Sequence, residues 1–306
     1  MRAYAAFLAA IAGTLLLTAL VAYPVYAGLH ALQPEWAFHK IASRLWQLLM
    51  LGAVIVVVWR LRLGTKRDWG YGVPRPAWLR QFGIGLALGL ATMLPVTLTM
   101  IGLGVRPLRP ELSLELLTGA FFAGLASGLA VGFVEETFFR GLLQGAVMRE
   151  TRRPAIALVA VAVLYSALHF LDRVRIPHEQ VDWGSGLVLL GGVLGKFAAF
   201  GTIVDAFLCL VAVGLVLGVV TWWSGSIALA VGLHAGWVWM MRTTVGVTAA
   251  DESSPLAWTI SESTGYTGWL VLGWTLVVLA ALPWVRRRWP AAFDDASRAA
   301  TRPAGG

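Results

Sequence analysis

Gly132-Phe133-Val134-Glu135-Glu136-Thr137-Phe138-Phe139-Arg140-Gly141 sets two adjacent carboxylates and one guanidinium inside an apolar stretch, Leu117 to Val147, that contains no proline. Such a run predicts a membrane-crossing helix. With a rise of about 1.5 Å per residue, the glutamates lie about 18 Å from the Val147 end. Charge at that depth costs several kcal/mol unless it is paired or wetted, so it marks function and demands a partner. Glu136 and Arg140 are spaced i, i+4 and share a helix face. Glu135 sits about 100° further round and points elsewhere. The expected division is a structural Glu136–Arg140 pair and a Glu135 that faces a cavity. The competing reading makes all three residues one structural ion cluster at a helix end.

The rest of the chain extends this reading. Of 306 residues, 58% are hydrophobic and only 13% charged. A soluble domain carries about 25% charge. The apolar residues come in runs of about 17–25, enough to cross a hydrocarbon core of about 30 Å. Lipid cannot satisfy backbone polar groups, and solid apolar runs lack the alternation of barrel strands. The fold class is therefore all-α, a polytopic membrane protein with about eight transmembrane helices. The net charge of +8 comes from Lys and Arg in short loops, where it orients the spans, so it does not point to nucleic acid. Many of the fifteen Trp flank apolar runs, as in interfacial belts. The single cysteine, Cys209, excludes an intrachain disulfide or a thiolate zinc cluster.

In chain order, spans are expected at 3–28, 44–59, 82–103, 117–147, 154–170, 203–222, 227–241 and 268–285. The stretch 184–200 is glycine-rich, carries Lys196 and reads as re-entrant or interfacial. Asp205, at the start of a span, reads as interfacial. Arg60 to Arg80, Arg149 to Arg153 and Arg286 to Arg288 are the basic clusters. Eight spans put all three on the cytoplasmic side, with both termini inside. The organisation is then one transmembrane domain, 1–288, with a core at 117–241 and a disordered cytoplasmic tail, 289–306.

Two histidines lie inside spans, His169 and His234. At about 1.5 Å per residue from the cytoplasmic helix ends, His169 is about 22 Å deep and His234 about 12–13 Å, which brackets Glu135. One carboxylate and two imidazoles from three helices can therefore meet near one level. Taken singly, each histidine has a packing explanation, a hydrogen bond to a neighbouring helix. Together they suit two chemistries. Glu135 is a general base with His169 orienting its water, or Glu135, His169 and His234 hold a metal ion that activates the water. The cofactor is left open between these. No GxSxG or HExxH is present, so neither a serine hydrolase elbow nor a zincin helix is supported.

Glu135-Glu136-Thr137-Phe138-Phe139-Arg140-Gly141 resembles the EExxxR motif of the CAAX-processing and bacteriocin-processing (CPBP) family of intramembrane endopeptidases. Tyr165-xxx-His169 resembles its FxxxH motif with Tyr for Phe. His234, after an apolar helix bearing Gly214 and Gly218 and a Ser224-Gly225-Ser226 turn, resembles its last motif. The resemblance covers about Leu117 to Met241. It implies an eight-helix core that cleaves a peptide bond in or beside the membrane. Glu135 would be the catalytic base, His169 the water-positioning residue, His234 the transition-state stabiliser, and Glu136 and Arg140 the support. One position departs. The family's last motif is HxxxN or HxxxD, whereas residue 238 is Val and the chain has no Asn. A lost oxyanion contact costs on the order of 10²–10³ in rate. His234, or the indole N–H of Trp237 or Trp239, is expected to replace it.

The expected function is an intramembrane endopeptidase in a bacterial cytoplasmic membrane, with membrane lipids and a peptide or membrane-protein substrate as partners. A non-catalytic, peptide-binding or immunity-type member of the same family is the first alternative. An ion- or proton-coupled transporter using the same three groups as a relay is the second. A transporter should show repeats or paired broken helices, and only 184–200 has that character.

Overall fold

A computed structural model describes residues 1–171, 175–262 and 264–293. In chain order the helices are α1 (Arg2–His30), α2 (Phe38–Arg60), α3 (Arg75–Gly102), α4 (Leu114–Glu136), a π-helical run (Thr137–Gln144), α5 (Gly145–Thr151), α6 (Pro154–His169), α7 (Ser185–Val193), α8 (Gly195–Ala198), α9 (Val204–Ser224), α10 (Ala228–Val247), α11 (Trp269–Arg288) and α12 (Pro290–Phe293). Six are long and apolar enough to cross a membrane: α1, α2, α3, the continuous Leu114–Thr151, α9 and α11. Pro154–His169 is a shorter apolar helix. The protein is all-α, a polytopic membrane protein. The glycine-rich stretch after 184 folds as the short α7 and α8; at about 1.5 Å per residue neither can span a core of about 30 Å.

The chain forms two compact units, Met1–Gly64 with Ala167–Thr202, and Thr65–Ser166 with Ile203–Gly306. In the first unit α1 and α2 pair through side chains. Trp46 donates its indole N–H to the Thr14 hydroxyl at 3.2 Å, and that hydroxyl donates to the Ala10 carbonyl one turn back. Ala22, Tyr26, Phe38, Ile41 and Ala42 make a small apolar core. Gly186 lets α7 lie directly on α1, because a Cβ there would meet the Ala19 carbonyl.

The second unit is built round α10. Its residues from Ala228 to Val238 are all buried. Glycines make that possible by removing the side chains that would hold the backbones apart. A Cβ on Gly85 or Gly89 of α3 would meet the Leu229 or Leu233 carbonyl, and one on Gly128 of α4 the Ala235 carbonyl. Gly232 of α10 returns the contact against Phe82 of α3. The turn that feeds α10 is set at Gly225, whose φ of 67° is the left-handed value that favours glycine at a helix C-terminus. Ser224 and Ser226 cap the turn, the Ser226 hydroxyl accepting from the Ala228 N–H at 3.1 Å.

Asp205 is buried, and the Ser261 hydroxyl donates to it at 3.2 Å, so it is a hydrogen-bonded group of the protein interior. The tail expected to lack structure from Trp289 onward begins with α12. Phe293 there is buried and meets Trp223 edge-on at 6.0 Å, because an aromatic ring gains more from packing than the short turn loses in entropy. The remainder of that tail, 294–306, lies outside the described residues.

Candidate active site

The functional side chains of the second unit come from four helical segments. Glu136 ends α4, and its carboxylate is fully buried. Arg140, on the π-helical run, pairs with it at 3.2 Å, Nε to Oε2. His234 of α10 donates from Nδ1 to the other carboxylate oxygen, Oε1, at 2.8 Å. Glu136 is thus held from two sides. A carboxylate on one ring nitrogen fixes both the tautomer and the plane of an imidazole.

The π-helical geometry widens the turn just after the glutamates, a distortion that concentrates at functional sites. It carries Arg140 and Gln144 onto α9 at positions where α9 has no side chain. Arg140 donates to the Gly214 carbonyl at 3.3 Å, and Gln144 to the Gly218 carbonyl at 3.0 Å. Tyr165 of α6, itself buried, lies under the Arg140 guanidinium at 4.6 Å and meets the His234 ring edge-on at 6.2 Å. A buried guanidinium over an aromatic face is attracted by the ring quadrupole. Arg140, Glu136, His234 and Tyr165 therefore form one interlocked group.

Glu135, beside Glu136 on α4, is half-buried and takes no part in the Glu136–His234 bond. The structure brings His234 to Glu136. His169 ends α6, is exposed, and belongs to the first unit. Among the described residues, no group of three or more His, Cys, Asp or Glu side chains is arranged to hold a metal ion.

Two further points were not visible in the motifs. Tyr165 is the ring that joins Arg140 to His234; its place four residues before His169 was the only signal. The indoles expected to replace the absent Asn are engaged elsewhere. Trp237 donates to the Thr92 hydroxyl at 2.9 Å and Trp239 to the Phe121 carbonyl at 3.1 Å. An N–H has one proton to give, so neither indole substitutes for a residue at 238 while those bonds hold. Val238 itself is buried.

Residues 117–240 match the family model described as Type II CAAX prenyl endopeptidase Rce1-like. Neither the curated proteins nor the solved structures gave a match. The matched stretch contains both glutamates, Arg140, Tyr165, His169 and His234. Over those residues, less than half of the chain, the protein is similar to the CAAX-type membrane endopeptidases.

Proposed function

We propose that the protein hydrolyses a peptide bond in or next to the membrane, with Glu135 as the base. The observation that carries this reading is the contrast between neighbours. Glu136 is consumed by Arg140 and His234, while Glu135 is half-buried on another side of the same helix. Glu135 takes a proton from water. The resulting hydroxide attacks the carbonyl carbon, and the carbonyl π electrons move to its oxygen. As that oxyanion collapses, the C–N bond breaks and Glu135 returns the proton to the leaving amine. His234 with a proton on both ring nitrogens donates Nδ1–H to Glu136 and Nε2–H to the oxyanion, a contact of the kind worth about 10²–10³ in rate. His169 is given the water-orienting role by its motif alone.

The setting belongs to the same proposal: a bacterial cytoplasmic membrane, both termini inside, and one transmembrane domain over 1–288. Cysteines placed at Arg67 and Arg152 should resist labelling from outside intact cells; efficient external labelling of either breaks the eight-span topology.

A second reading has its own observation. Val238 stands where the family carries Asn or Asp, and both nearby indoles are occupied, which favours a peptide-binding member without turnover. One experiment separates the two. Purified protein is given a membrane-peptide library, with and without chelator, as parent, Glu135→Gln and Val238→Asn. Glu135→Gln should fold normally and lose about 10²–10⁴ of the cleavage rate, and Val238→Asn should raise it. Full activity in Glu135→Gln removes the base assignment. No cleavage by any variant, Val238→Asn included, moves the non-catalytic reading into first place.

A further inference from the structure

The first unit contains a cavity of about 280 Å³ that no motif anticipated. Its two walls differ. Leu189, Leu190 and Val193 from α7 make one side apolar. His39, Ser43 and Gln47 from α2, spaced i, i+4 and i+8, make the other side polar. His169 is also in the lining. Among the described residues no Lys, Arg, Asp or Glu lines it, so it has nothing with which to select a phosphate headgroup.

The hydrogen bonds already made on the polar wall limit what it can still do. Ser43 donates its proton to the His39 carbonyl at 2.7 Å, which leaves the oxygen as an acceptor. Gln47 accepts from Arg44 at 2.9 Å through Oε1, which leaves its amide nitrogen as a donor. One acceptor and one donor, a helical turn apart, complement a neutral group that itself carries one N–H and one C=O. A peptide amide is such a group. The Thr18 hydroxyl and the Trp46 indole, also in the lining, already donate to the Thr14 carbonyl and hydroxyl.

We propose that this cavity is a subsite for a substrate peptide, seating one large apolar side chain against α7 while Ser43 and Gln47 read the adjoining amide. This rests on the peptidase reading and extends it, giving α1, α2 and α7 a part in selection. The volume suits a single large residue, being just below the range of about 300–1,000 Å³ that holds drug-sized ligands.

The test uses the full-length protein in phosphatidylcholine vesicles. The probe is an apolar peptide of about 20 residues carrying one photoreactive diazirine-leucine. A diazirine phospholipid serves as the lipid arm. In the parent and in Glu135→Gln the peptide should label the residues of this lining, with the peptide displacing any lipid label. Leu190→Trp, which fills the cavity, should cut labelling about 10-fold or more, the scale on which a pocket discriminates side-chain size. Gln47→Leu, at an exposed position that spares the fold, should cut it about two- to twelvefold, one hydrogen bond's worth. Labelling elsewhere, yields unchanged in both variants, or a lipid label that the peptide cannot displace would overturn the subsite. Cavity labelling with no cleavage by any variant would leave the subsite standing and sink the peptidase reading. Cleavage that depends on Glu135 but ignores Leu190→Trp and Gln47→Leu would do the reverse.

Discussion

The two units solve the same problem, packing helices that lipid will not drive together, in opposite ways. In the second unit, backbone meets backbone. Gly85, Gly89, Gly128 and Gly232 let α10 sit hard against α3 and α4. In the first unit α1 and α2 meet through Thr14, Trp46 and a modest aromatic core. Gly13, Gly28 and Gly52 there have open space where a Cβ would stand. The charged group Arg140–Glu136–His234 occurs in the tightly packed unit, and the amphipathic cavity in the looser one. Buried charge is tolerated only where every partner is held in place, since each lost bond leaves an expensive orphan.

The largest effect that would break this comparison concerns the buried pair. Arg140→Ala should strip Glu136 of one partner and destabilise the protein by about 3–5 kcal/mol, the usual cost of breaking a buried ion pair from one side. Thermal unfolding in detergent measures it. A variant as stable as its parent would show that the pair carries no structural weight.

Next come the glycines. Gly89→Val places new atoms against the Leu233 carbonyl and the backbone of Gly236, and should cost about 1–3 kcal/mol by overpacking. Gly52→Ala, in open space within α2, should be neutral or stabilise by up to about 1 kcal/mol through helix propensity. Measured unfolding midpoints of equal size for the two would erase the distinction between the units.

The smallest effect lies at the surface of the second unit. Asp68 accepts from the Thr65 hydroxyl at 2.7 Å and from its N–H at 2.9 Å, and pairs with Arg149 at 3.1 Å. The Thr65 hydroxyl and N–H, assisted by Arg149 and Arg67, hold its carboxyl below the usual range. A depressed carboxylate contributes stability that is complete above its unfolded value of about 3.9 and is lost as pH falls through the lower folded value. Screening keeps the Asp68–Arg149 pair to about 0–1 kcal/mol. Asp68→Asn should therefore lower the unfolding midpoint slightly near neutral pH and converge with the parent below about pH 4. A gap that widens in acid would reverse the assignment.

Much of this architecture is legible before any coordinates. Apolar run length, basic loops and the absence of long polar segments suffice for helices at the expected places, because membrane depth imposes a physical length on every span. The i, i+4 spacing of Glu136 and Arg140 is a local fact, and local facts survive folding. The one pattern that reads against its neighbours, the glycine-rich stretch after 184, does become short helices.

What spacing along the chain could not decide is which long-range partner each charged group would take. Depth counting set His234 near Glu135, but a count along one axis says nothing of rotation about it. The rotation that turns His234 toward Glu136 comes from α10 settling against α3 and α4 on glycine backbones, contacts made by residues about a hundred positions apart. The same packing, with a π-helical turn, aimed Arg140 and Gln144 at the bare carbonyls of Gly214 and Gly218. Composition and period therefore determined that this chain is a bundle of membrane helices carrying paired carboxylates at depth. Only the tertiary structure decided that Glu136 is the carboxylate shared between arginine and histidine, because that choice depends on helix rotation, which backbone close-packing sets and one-dimensional spacing does not encode.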